Sequence, residues 1–252
     1  MTLRHTHAIV CAPGRSYPDA LTRISPAPPV DLPRVREQHA AYIAALRDCG
    51  LNVIQMPPDD EHPDAVFVQD PVIVMGGQAI AARSAMPSRQ GEAGALLAIL
   101  RPHMPIVELE PPATLDGGDV LVTDDCVFVG LSTRTNREAC EQLSKLTGWP
   151  VEGVPLPNGL LHLLSGCTYL GANRLLVIEP LVAAFPDFAH AVVPDQEAYA
   201  ANVLVVDTHA IIPRGYPHTA TLVEENGFVV HTVPVSEFEK RDGGVTCPSL
   251  LF

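Results

Sequence analysis

The sequence predicts an α/β fold made of five repeated units closed around a central axis. Two observations point there first. A strand-like run, a helix and a short strand ending at or near proline recur along the whole chain. They recur every roughly 40 to 50 residues, a period typical of stacked or circular repeat architectures. A third observation adds weight, because polar residues fall at matching places in successive units, beside runs that otherwise call for burial.

The first unit opens with the apolar run His7-Ala8-Ile9-Val10-Cys11. A helical stretch follows from about Leu32 to Cys49, stopped by Gly50, a common residue after a helix C-terminus. Its closing strand, Leu51 to Met56, ends at Pro57. The second unit has two expected strands, Ala65-Val66-Phe67-Val68 and Ala79-Ile80-Ala81-Ala82, with a turn at Gly76-Gly77, a helix from Glu92 to about Leu100, and a strand before Pro111. In the third, Val120-Leu121-Val122 and Val127-Phe128-Val129 flank a turn at Asp124-Asp125. A helix starts near Asn136 and the last strand reaches Pro155. The fourth pairs Leu160 to Leu164 with Arg174 to Ile178 across Gly171-Ala172-Asn173, has a weak helix, and closes at Ala191-Val192-Val193. The fifth runs Asn202 to Val206, then Ala210-Ile211-Ile212, a helix ending at Asn226-Gly227, and a closing strand containing Pro234.

Composition narrows the function classes. The chain has 252 residues, enough for one large domain or two small ones. A net charge of −13 disfavours nucleic acid and anionic membranes, whose phosphates need a basic surface, and is compatible with a cationic ligand. Neither a bilayer-length apolar run nor a signal-peptide pattern is present, so a soluble, cytoplasmic protein is expected. The six cysteines are scattered without a C-x-x-C pair, which suggests neither a disulfide framework nor a zinc knuckle. Five read as small core residues, whereas Cys247 follows the polar, glycine-bearing stretch Asp242-Gly243-Gly244-Val245-Thr246.

The polar residues at matching places are Asp70, Asp116 and His162, in units two to four. Cys247 comes after the last closing strand, where the chain would return to the first unit. Each has an ordinary structural reading. An aspartate before Pro71 suits a turn, Asp116-Gly117-Gly118-Asp119 suits a hairpin, and a histidine in a leucine run suits a core. Four such residues in register point instead to a common site.

Around these residues the sequence resembles the dimethylarginine dimethylaminohydrolases of the pentein superfamily. The matching stretches include Val66-Phe67-Val68-Gln69-Asp70-Pro71, Ser88-Arg89-Gln90-Gly91-Glu92, Thr114 to Val120, Gly130 to Asn136, Leu161-His162-Leu163, Ala200-Ala201-Asn202 and Asp242 to Cys247. They span nearly the whole chain in the family's order. The resemblance implies a five-bladed α/β propeller, residues 1–252 as a single catalytic domain, and no metal or organic cofactor. One position departs from the family, Gln69 in place of glutamate, which removes a negative charge from the substrate funnel.

The implied chemistry suits these side chains. A guanidinium carbon is a poor electrophile, and a thiolate at Cys247 is the strongest nucleophile a protein offers. His162 can protonate the departing amine and then activate water. Asp70 and Asp116 can accept charge-assisted hydrogen bonds from the guanidinium, and Asp116 is also a candidate to orient His162. By the resemblance, Arg89 and Arg134 would pair two-to-two with a substrate carboxylate. Leu21, Asp64, Phe67, Gln69 and Arg241 would line the remaining substrate contacts, Leu21 and Arg241 through backbone carbonyls. The expected partner is a small cationic amino acid, a methylated arginine, bound by a monomer or homodimer. Two alternatives stand beside hydrolysis of methylarginine to citrulline. One is the same chemistry on arginine or another substituted guanidine. The other is a non-catalytic propeller that binds a partner.

Overall fold

The computed structural model describes residues 5–252. Along the chain these are β1 (His7–Cys11), α1 (Leu32–Asp48), β2 (Asn52–Met56), β3 (Val72–Met75), β4 (Gln78–Ala81), α2 (Ala93–Leu100), β5 (Ile106–Glu108), β6 (Val120–Val122), β7 (Val127–Leu131) and α3 (Arg137–Thr147). There follow β8 (Val151–Pro155), β9 (Cys167–Gly171), β10 (Arg174–Ile178), β11 (Ala189–Val193), β12 (Leu204–Val206), β13 (His209–Pro213), α4 (Pro217–Glu225), β14 (Val229–Val233), α5 (Ser236–Glu239) and β15 (Leu250–Leu251). They form five three-stranded sheets, β15-β1-β2, β3-β4-β5, β6-β7-β8, β9-β10-β11 and β12-β13-β14.

Each sheet follows one rule. Its middle strand pairs antiparallel on one side and parallel on the other. In four sheets the antiparallel partner is joined by a short turn. The parallel partner needs a crossover, supplied by α1, α2, α3 and α4 in four sheets and by the 3-10 stretch Glu179–Ala184 in the other. The five-unit α/β fold expected from the repeats is therefore the one observed. The first sheet differs in that β15, from far along the chain, supplies its antiparallel strand.

The chain divides into two compact units. One is the continuous stretch Gln69–Asn202, here the inserted unit, holding β3 to β11. The other, the flanking unit, joins residues 5–68 to Val203–Phe252. In the inserted unit one core packs Ile73, Met75 and Ile80 with Val120, Val129 and Leu143, and a second gathers Leu121, Phe128, Leu163, Leu175 and Phe185. In the flanking unit Tyr17, Phe67 and Phe238 form an aromatic cluster with ring centroids 6.0 to 6.4 Å apart.

Helix boundaries have local causes. Asp31 caps α1 by accepting from the Arg34 N–H, and Gly50 ends it at φ +86°. Asn136 caps α3 through the Ala139 N–H, and Gly148 closes it in the left-handed region. Two expected strands are not strands. Residues 65–68 form turns, although Val66, Phe67 and Val68 are buried, and β4 pairs instead with Val72–Met75. Residues 160–164 lead into a 3-10 turn at Leu163–Ser165, and the strand starts at Cys167. In both places an apolar run is buried as a loop, so apolarity without β pairing misleads. The closing strand β14 also stops at Val233, before Pro234.

Candidate active site

In the inserted unit, three loops that each precede a hairpin bring Asp70, Asp116 and His162 together. An oxygen of each carboxylate and a His162 ring nitrogen all lie within 4.8 Å of one another. The polar residues thus sit in loops just before the opening strands β3, β6 and β9. The turn Gly117–Asp119 makes the approach possible. A Cβ at Gly118 would stand 3.1 Å from Asp70 Oδ1 and 3.1 Å from His162 Cγ, and one at Gly117 would overlap the Gln69 carbonyl. The Gly118 N–H donates to Asp70 Oδ1 at 2.9 Å.

Asp119 holds the imidazole more closely than Asp116 does. His162 Nδ1 is 3.2 Å from Asp119 Oδ2, without hydrogen-bond alignment, whereas Nε2 is 3.9 Å from Asp116 Oδ2. The orienting role expected of Asp116 is therefore better placed on Asp119. Asp119 is fully buried and accepts from Ser132 Oγ at 2.7 Å, Thr135 Oγ1 at 2.6 Å and the Leu163 N–H at 3.0 Å. Its Asp-Gly-Gly-Asp setting reads in sequence as a plain turn, but the hydroxyls of Ser132 and Thr135 in the matching stretch were a usable signal.

The arginines expected at a substrate carboxylate face carboxylates of the protein. Arg89 is buried and donates from Nη1 to Asp70 Oδ2 at 2.6 Å, and from Nη2 to Glu92 Oε2 at 2.8 Å. Arg134 Nη1 donates to Asp116 Oδ2 at 3.2 Å, and Ser84 Oγ donates to Asp116 Oδ1 at 3.1 Å. Glu92 and Ser84 were missed in sequence, though Glu92 stands three residues after Arg89, a spacing that places the pair side by side. Gln69 Oε1 is buried without a hydrogen-bond donor. A cavity of about 250 Å³, a little below the usual range for ligand pockets, is lined by Asp70, Arg83, Ser84, Arg89, Glu92 and Asp116.

The electrostatics separate the two central carboxylates. Burial alone would raise Asp70, but the charges of Arg89 and His162 and the hydrogen bonds from Arg89 and Gly118 hold it below the usual range. Asp116 lies above that range, through burial and then repulsion by Asp70, which outweigh Arg89, His162 and Arg134. Burial works against the His162 cation, yet Asp119 and the charges of Asp70 and Asp116 lift its pKa above the ordinary histidine value. Asp70, Asp116 and His162 have metal-ligating atoms, and the two carboxylates have guanidinium groups as neighbours, the cation such planar acceptors suit.

The flanking unit carries Cys247, Leu21, Asp64, Phe67 and Arg241. The Gly244 N–H donates to Cys247 Sγ at 3.3 Å. Tyr42 Oη steadies that loop, donating to the Val245 carbonyl at 2.7 Å and lying 2.7 Å from Ser249 Oγ. The Phe67 ring stands over Gly243, where a Cβ would approach its Cε1 at 2.5 Å. Asp64 is buried and accepts from the Leu21 N–H at 3.2 Å, and Asp242 accepts from the Arg23 N–H at 2.6 Å. Arg241 contributes more than a carbonyl. Its guanidinium donates to the Pro18 carbonyl at 2.6 Å and the Pro28 carbonyl at 3.1 Å, fastening the segment that contains Leu21.

The family model described as N,N dimethylarginine dimethylhydrolase, eukaryotic, matches residues 30–157. The chain is 37% identical to the N(G),N(G)-dimethylarginine dimethylaminohydrolase of Pseudomonas aeruginosa, over 98% of this chain and 99% of that one. A solved structure of that Pseudomonas protein, a cysteine-to-serine mutant complexed with citrulline, superposes with a TM-score of 0.94 at 36% identity, covering 99% of this chain and 100% of the other. A second, a histidine-to-glycine form of a dimethylarginine dimethylaminohydrolase as an adduct with S-methyl-L-thiocitrulline, also gives 0.94 at 36% identity, covering 98% and 100%.

Proposed function

The chain belongs to the dimethylarginine dimethylaminohydrolase family, and on that premise we propose that it hydrolyses Nω-methylated L-arginine to L-citrulline and a methylamine. The observation that carries the reading is the pair of carboxylates beside His162, Asp70 and Asp116, each already paired with a guanidinium group of the protein. The citrulline complex and the thiocitrulline adduct of relatives support an arginine-like substrate.

In the reaction, the substrate guanidinium takes the place of arginine side chains at Asp70 and Asp116. Arg89 and Arg134 are thereby released to meet its carboxylate, with Gln69 and Phe67 beside them and Asp64, Leu21 and Arg241 at the amino-acid end. Cys247 Sγ attacks the guanidinium carbon. His162 gives its proton to the departing amine, leaving an S-alkylthiouronium on Cys247. The neutral imidazole then takes a proton from water as the oxygen attacks, the C–S bond breaks, and citrulline and the thiolate are regenerated. The proposal takes residues 1–252 as a single catalytic domain. Six free cysteines suit a reducing compartment such as the cytoplasm, and among the described residues no helix is long and apolar enough to cross a membrane.

The test is incubation with arginine, monomethylarginine, asymmetric dimethylarginine and agmatine, with assay of ureido product and released amine. Methylarginines are expected to be turned over fastest and agmatine, which lacks the carboxylate, slowest. Preference for arginine itself would move the activity to a deiminase, and no turnover of any of them would reject it. Cys247→Ser should lose essentially all turnover, because a serine hydroxyl is far less available as an anion. Acid-quenched wild-type protein should show an adduct on the Cys247 peptide. Substantial activity in the serine variant would sink the covalent route.

A further inference from the structure

A second cluster of metal-binding side chains lies in the flanking unit and shares no residue with the catalytic set. It comprises Cys49, His209 and His231, whose ligand atoms all lie within 4.8 Å of one another. Cys49 caps the C-terminal end of α1 and is buried, and its thiol is not in a disulfide. His209 opens β13. His231 lies in β14 opposite Ile211, so the parallel register places both imidazoles on one face of the sheet. Helix α1 packs on β14 and brings Cys49 to that face. The histidine rings meet nitrogen to nitrogen, His209 Nδ1 to His231 Nε2, at 2.9 Å.

From this convergence of one sulfur and two imidazole nitrogens we propose that Cys49, His209 and His231 bind a zinc ion. The donor set selects the metal. Magnesium and calcium prefer oxygen ligands, whereas thiolate and imidazole suit zinc and its neighbours. In a tetrahedral site with Zn–N of about 2.0–2.1 Å and Zn–S of about 2.3 Å, ligand atoms of this set stand roughly 3.3 to 3.6 Å apart. The observed nitrogen pair needs to open by only a few tenths of an ångström to reach that spacing. Zinc takes the place of the proton between the two imidazoles, which moves to the far nitrogen of its own ring, so both facing nitrogens offer lone pairs to the metal, and Cys49 releases its proton to solvent on binding. The fourth position is left for water. The ion ties the end of α1 to β13 and β14, segments far apart in sequence, so its role is to hold the flanking unit together rather than to take part in turnover. No sequence spacing announces the site because its ligands come from a helix end and two strands.

The experiment uses the full chain carrying Cys247→Ser, so that the catalytic thiol cannot supply the sulfur. Metal-stripped protein is titrated with cobalt(II) as a spectroscopic stand-in and with zinc. One equivalent of cobalt is expected, with a thiolate-to-cobalt charge-transfer band, and zinc should displace it. Adding Cys49→Ser should abolish the band, and adding His231→Gln should weaken zinc binding by more than about tenfold. Zinc should also raise the melting temperature of the Cys247→Ser protein, because it binds the folded state. If Cys49→Ser fails to fold, His231→Gln and the parent titration still decide the matter. No bound equivalent in the Cys247→Ser protein would overturn the site, as would a band that survives Cys49→Ser or zinc affinity unchanged by His231→Gln.

Discussion

His162 is an imidazole with carboxylates near both ring nitrogens, and its raised pKa keeps it protonated at pH values where an ordinary histidine has lost its proton. That suits a general acid. The same shift makes its contribution to stability fully present below about pH 6.5, the ordinary histidine value, and lost as pH rises through the folded value. Asp119→Asn removes the charge nearest Nδ1 while keeping the shape. Turnover should fall by about 10- to 100-fold, the usual cost of losing an orienting partner, and the alkaline limb of the kcat profile should move to lower pH with KM little changed. An unmoved limb would take Asp119 out of the mechanism. The sequence made Asp70, Asp116, His162 and Cys247 visible, because each is a reactive group where burial or a plain loop was expected. It did not separate Asp116 from Asp119. Which of the two reaches Nδ1 depends on how the short turn between them presents its ends.

That turn, Gly117–Asp119, is the element on which the cluster of the inserted unit is built. Gly118→Ala should leave the fold intact and disturb the approach of Asp70 to His162, both within about 3.1 Å of the new methyl group. A loss of activity larger than the loss of stability is expected, the latter in the range of about 1–3 kcal/mol usual for overpacking. Comparing kcat/KM with urea midpoints checks it, and full activity would show the close approach to be unnecessary. The cap of α3 supports the same loop. Asn136 Oδ1 accepts from Ala139 and from the Thr114 N–H at 3.0 Å, and Nδ2 donates to the Pro112 carbonyl at 2.9 Å. Asn136→Ala should cost about 1–2 kcal/mol in a denaturation experiment, with Asn136→Asp losing less because it keeps the acceptor. Helices and hairpins with caps, glycine stops and alternating burial were legible from sequence. The runs 65–68 and 160–164 were not, because a buried loop and a buried strand share the same apolar letters.

At the scale of the whole molecule, mild acid should weaken the fold through a buried histidine. His39 is buried without a hydrogen-bond partner at Nε2, and burial pushes its pKa down to about 4. The unfolded chain takes up a proton there below about pH 6.5 and the folded one does not. Stability therefore falls between those values, by on the order of 3 kcal/mol. Asp116, raised in the fold, works in the opposite sense in that window, and the contribution of Asp70, whose pKa is lowered, is lost only at more acid pH. His39→Leu should flatten the decline in urea midpoint between pH 6.5 and 4. An unchanged slope would show that other groups carry it. The five-unit plan was readable from sequence because the repeats are covalent neighbours. The division into two compact units was not, since it depends on which distant segments pack together.

The pairing of β15 with β1 also sets an order of events on the ribosome. Four of the sheets are assembled from strands that emerge one after another, so the inserted unit can complete its pairing while translation continues. The sheet begun first waits for Leu250 and Leu251, and the Phe252 carbonyl that accepts from the Thr6 and His7 N–H groups arrives just after them. Cys247 is carried into place by that same late stretch. A nascent chain arrested upstream of it would display the aspartates and His162 on finished scaffolding, with the nucleophile still unmade. Such a chain could hold a guanidinium but never open one, and capacity for turnover would wait for Cys247 to emerge.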